Sequence, residues 1–124
     1  LDALNGYLVI AENLYKEGQK FAEAWNIGPE NGDVISVRGL VERIVEKWPD
    51  PIKYSIEEPD PKLHEAFFLA LNSDKMKNNF SWRPVWNSQK AVDRTVEWFY
   101  EYKQGKSPKE ICIRQIDEFF GERG

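Results

Sequence analysis

KLHEAFFLALNSDKMKNNFSWRPVW, residues 62–86, is the stretch around which the rest of the chain is organised. It holds the only histidine, His64, beside Glu65. An alternating apolar run follows at Phe67, Leu69 and Leu71, which is the period of a strand. Ser73 to Asn79 then reads as a short amphipathic helix. It is closed by an aromatic-proline knot, Ser81-Trp82-Arg83-Pro84-Val85-Trp86. A small ligand, if the chain takes one, is expected near His64 and Glu65. As neighbours on extended backbone these two point to opposite sides, so they do not form a dyad by themselves. A solvent-exposed loop pair is the alternative reading.

Working back towards residue 1, Asp2–Glu17 is predicted helical, with Leu1, Leu4, Leu8, Ala11 and Tyr15 on one face and Gly18 as its stop. Ala22–Ile27 is expected as a short strand ended by Gly28-Pro29, and Asn31-Gly32-Asp33 is turn chemistry. Ser36 can cap a second helix, Val37 to Trp48, whose apolar residues recur at helical spacing up to Pro49. Ile52–Glu57 alternates again and is expected as a strand. Glu57, Glu58 and Asp60 read as a solvated acidic loop.

Forward of the knot, Asn87 or Ser88 caps a long helix to about Lys103. Its expected buried face is Ala91, Val92, Thr95, Val96, Trp98, Phe99 and Tyr102. Ser107-Pro108-Lys109-Glu110 opens a last helix as a capping box with proline at its first position. Cys112, Ile116, Phe119 and Phe120 are its expected apolar face. Trp82 and Trp86 read as core rather than as a stacking platform, because aromatics serve mostly by burial. The fold class is therefore α+β and helix-rich, in one domain.

Composition narrows the function. The chain has 124 residues, 41% hydrophobic and 31% charged, with net charge −4 and pI about 5.1. Its lysines and arginines are scattered singly among acids, so no counterion-releasing surface for nucleic acid is expected. One cysteine, Cys112, excludes an internal disulfide, and one histidine with one cysteine speaks against an ordinary zinc site. With no apolar run of membrane-spanning length and no signal peptide, the expected compartment is a reducing cytoplasm, with no membrane partner. There is no glycine-rich dinucleotide fingerprint and no Walker A motif. Tyr102 and Lys106 have the Tyr-x-x-x-Lys spacing of a dehydrogenase pair, but Gly105 interrupts the helix between them.

Several motifs in order resemble one family. Residues 1–15, LDALNGYLVIAENLY, resemble the helix after the substrate-binding region of extended short-chain dehydrogenase/reductases acting on nucleotide sugars. Ala24-Trp25-Asn26-Ile27-Gly28 is similar to that family's A-x-N-I-G strand, and Ser36-Val37-Arg38-Gly39-Leu40-Val41 to a helix start. Leu63-His64-Glu65-Ala66, then Leu71-Asn72-Ser73-Asp74-Lys75, then Phe80-Ser81-Trp82-Arg83-Pro84 resemble H-[DE]…L-D-x-S-K…L-G-W-x-P. The His-Glu-Ala wording, the W-x-P-x-W knot and Gln115-Ile116 before Phe119 are most similar to the CDP-glucose 4,6-dehydratase branch of this NAD-dependent epimerase/dehydratase family.

The resemblance implies a C-terminal nucleotide-sugar-binding lobe, with the last helix and strand of a Rossmann-type domain. The NAD-binding domain and the catalytic residues are expected to lie in a preceding part of the protein. The implied substrate is CDP-glucose, with His64 and Glu65 near the nucleotide, and no catalytic, cofactor-binding or metal residues are expected in this chain. Pro61 stands where dTDP- and UDP-handling relatives carry an arginine, so that phosphate clamp is lacking. Asn72 replaces an aspartate as a helix cap, and Ser81 replaces a glycine. Two other functions stay open: a stand-alone ligand-binding or interaction module, and the same lobe of a UDP-, GDP- or dTDP-sugar epimerase or dehydratase. Separated from its cofactor domain, the chain is expected to expose an apolar helix face and to form a homo-oligomer or aggregate.

Overall fold

The computed structural model describes residues 1–57 and 70–123. Five α-helices follow one another: α1 (Asp2–Glu17), α2 (Val37–Lys47), α3 (Asp74–Asn79), α4 (Ser88–Lys103) and α5 (Pro108–Gly121). A 3-10 turn, Gly18–Phe21, extends α1. Several stops and caps are those the sequence dictates. Gly18 turns the chain at φ 61°, where a Cβ would be strained. The Ser36 hydroxyl accepts from Gly39 N–H at 3.0 Å, and the Asn87 side chain from Lys90 N–H at 2.8 Å. Pro108 opens α5, but Ser107 makes no side-chain cap there, so the expected capping box with Glu110 is not formed.

The helix-rich expectation holds; among the described residues there is no strand, so Ala22–Ile27 and Ile52–Glu57 are not the strands expected of them. The alternation behind the prediction is real at Ala22–Ile27. Trp25 and Ile27 turn towards the core while Ala24 and Asn26 stay exposed. What is missing among the described residues is a neighbouring backbone to complete the ladder, and alternation without a partner is not a sheet. Ile52–Glu57 is exposed along its whole length and likewise unpaired among the described residues.

The core lies where α1, the 21–27 segment and α3 meet. Phe21, Met76, Phe80 and Trp82 are buried together, with Val9, Ile10, Leu14, Trp25 and Ile27 packed against them. Phe80 sits between Phe21 and Trp25, ring centroids 5.0 and 4.8 Å away, at tilted angles that suit aromatic quadrupoles. The burial expected for Trp82 and Trp86 is observed, at 1% and 5% exposed.

The face of α1 differs from the expected one. Leu4, Leu8 and Tyr15 point outwards, with Tyr15 93% exposed, while Asn5 and Gly6 are buried. Gly6 sets this orientation. A Cβ there would lie 2.7 Å from Ile27 Cδ1, so only glycine lets the 21–27 segment come this close to the helix.

The second half is built on α4. Arg43 of α2 grips Asp93 of α4 with two hydrogen bonds of 2.7 and 2.6 Å. Arg94 pairs with Glu97 of its own helix at 2.7 Å and with Glu118 of α5 at 3.0 Å. Arg114 reaches Glu97, Glu101 and Glu118 at 3.0, 2.8 and 3.3 Å. The buried stripe of α5 is Ile111, Gln115 and Phe119, not the expected Cys112, Ile116 and Phe120, which are exposed. Gln115 obscures that stripe in the sequence. It is buried because its amide donates to Arg94 O at 2.8 Å. On α4 only Val96 of the expected face is fully buried, and Thr95, Phe99 and Tyr102 remain exposed.

Candidate functional site

His64 and Glu65, the expected nucleotide-binding residues, lie outside the described residues, as do Glu58, Asp60, Phe67 and Leu69. Glu57 lies before them and is exposed. The structure gives the anchor on the C-terminal side of that segment. A Cβ at Gly28 would lie 3.1 Å from Leu71 Cβ and 3.3 Å from Leu71 O, so the two chains touch at a glycine. Asn72 Oδ1 accepts from Asp74 N–H at 2.8 Å in a turn just before α3; the N-cap position is Ser73, which makes no side-chain cap, so Asn72 is not the helix cap expected of it. Ser73 and Met76 follow, both fully buried.

Two lysines of α3 hold the 21–33 segment in place. Lys75 donates to Glu23 at 2.6 Å and to Ala24 O at 3.0 Å, with its ammonium 4.3 Å from the Trp25 ring centroid. Lys77, its side chain nearly buried, pairs with Glu30.

The aromatic knot is fixed from both sides. Arg83 donates to Lys77 O at 2.8 Å and folds the knot back on α3. The Asp2 carboxylate accepts from Val85 N–H at 2.6 Å and from Trp86 N–H at 3.4 Å. Asp33 takes Ser88 N–H at 2.6 Å on its carboxylate and the Ser88 hydroxyl on its carbonyl, also at 2.6 Å. Trp86 then meets Phe119 edge-on at 5.3 Å. Neither aspartate is marked by the sequence as part of this junction. Asp2 reads as first-turn helix chemistry, and Asp33 as a turn residue.

A groove of about 660 Å³ runs between α2 and α4, lined by Arg43, Lys90, Asp93, Arg94 and Glu97 among others. Most of its charges are already answered. Arg43 is held by Asp93 and Glu46, Arg94 by Glu97 and Glu118, and Lys90 by Glu122. Burial alone would raise the Glu97 carboxyl. Hydrogen bonds from Arg94 and Arg114 outweigh it and hold the pKa below the usual range. A phosphate entering this groove would have to displace existing pairs, so it is a clamp between helices rather than an open anion site.

Tyr102 and Lys106 do not form a dehydrogenase pair. Gly105 takes φ 85° between them, Lys106 pairs with Glu101, and the Tyr102 ring stacks on Trp98. Among the described residues no group of three or more metal-ligating side chains occurs, and no helix is long and apolar enough to cross a membrane.

No family model matches the chain. Against curated proteins, it is similar to the CDP-glucose 4,6-dehydratase of Salmonella typhimurium, 33% identical over 120 residues. The match covers 96% of this chain and 33% of the relative's length. The resemblance drawn from the motifs is thus supported by whole-chain similarity, in keeping with the C-terminal portion of such a protein. Over nearly all its length, this chain is similar to about a third of a CDP-glucose 4,6-dehydratase.

Proposed function

We propose that this chain is the nucleotide-sugar-binding part of a CDP-glucose 4,6-dehydratase-like lyase and is catalytically incomplete alone. The similarity over 96% of its length carries the reading. The substrate is CDP-glucose, bound with His64 and Glu65 near the nucleotide, and the chemistry belongs to an NAD-binding Rossmann-type domain that this chain joins. The described residues do not themselves suit a dinucleotide. Their left-handed glycines, Gly18, Gly32 and Gly105, stand at helix ends and in a turn, and none follows a strand to open a helix. No step through NAD is therefore assigned to residues of this chain. The outward face of α1, with Leu4, Tyr7 and Leu8 all more than half exposed, is the surface for that domain.

The test is calorimetric titration of the full-length enzyme with CDP, UDP, GDP and dTDP, and with its His64→Ala and Glu65→Ala variants. CDP is expected to bind most tightly, and each substitution to weaken it. Preference for another nucleotide would move the substrate to that class. Unchanged affinity in both variants would remove the residue assignment. A protein of 124 residues made as such in its native host, inactive on CDP-glucose in the presence of NAD, would favour the stand-alone binding module.

A further inference from the structure

We draw no further inference here: the strongest candidate, the apolar groove between α2 and α4 lined by Leu40, Ile44, Trp48, Val92 and Phe99, carries nothing because nothing in the structure shows what covers it.

Discussion

Replacing Gly6 by alanine tests the packing of α1 through two effects of opposite sign. In a helix interior the change stabilises by about 0.8–1 kcal/mol, because glycine has more backbone freedom to lose. Here the new Cβ would lie 2.7 Å from Ile27 Cδ1, 3.2 Å from Cγ2 and 3.3 Å from Cγ1. Rotating the end of Ile27 clears Cδ1 alone. Cγ1 and Cγ2 branch from the same carbon, so relieving both moves the backbone of the 21–27 segment. Overpacking of this kind costs about 1–3 kcal/mol. The expected net effect of Gly6→Ala is a loss of roughly 0–2 kcal/mol, read as a lower urea midpoint at unchanged slope. Ile27→Ala removes Cγ1, Cγ2 and Cδ1 together and costs roughly 2–5 kcal/mol by itself. In that background Gly6→Ala should be less harmful, with a coupling of about 0.5 kcal/mol or more between the two sites. A gain of about 1 kcal/mol in the parent background, equal to the gain in the Ile27→Ala background, would refute the steric account.

Other outcomes follow from the clasps, the charges and the exposed face. Asp2→Ala should cost about 1–3 kcal/mol, because it strips the acceptor from Val85 N–H. Asp2→Asn, which keeps an acceptor, should cost less, and equal losses in urea unfolding would deny the carboxylate this role. Glu101 is held below the usual range by its hydrogen bond to Lys106, with further help from Arg114, and Glu97 is held down by Arg94 and Arg114. Depressed carboxyls contribute stability that is complete above the ordinary glutamate value, about 4.3, and is lost as pH falls through the lowered folded values. The urea midpoint should therefore fall below about pH 4, and less steeply in Arg114→Met; identical acid profiles would contradict the assignment. The 124-residue chain should self-associate through the outward face of α1, and Leu4→Lys with Leu8→Lys should reduce this. A monomer at high concentration in light scattering would count against that surface.

Much of the fold is written locally. Gly18, Ser36, Asn87 and Pro108 mark helix ends that the structure reproduces, because caps are decided by a few neighbouring residues. The inner face of α1 is not legible in the same way. Leu4 and Leu8 compete with Val9, Ile10 and Leu14 for the apolar stripe, and the deciding residue is Gly6, whose meaning depends on Ile27 far along the chain. The stripe of α5 is hidden by Gln115, a polar residue satisfied only by a carbonyl on another helix. The two expected strands that fall within the described residues show the converse limit. Alternation at Trp25 and Ile27 gives the facing correctly, but pairing depends on backbone from elsewhere. At the candidate site, His64 and Glu65 rest on motif order and on similarity to a dehydratase. Asp2 and Asp33 could be recognised only once the fold had brought residues 85–88 to them.

Those two clasps fix an order of events at the ribosome. Asp2 meets Val85 across 83 positions, and Asp33 meets Ser88 across 55. Contacts this remote cannot form until the later partner has been made, whereas α1 and its 3-10 extension need only their own residues. At roughly 5–20 residues per second, Asp2 waits on the order of ten seconds for its amides to be synthesised. Over that interval Val9, Ile10 and Leu14 lack the Met76, Phe80 and Trp82 part of the core they pack against.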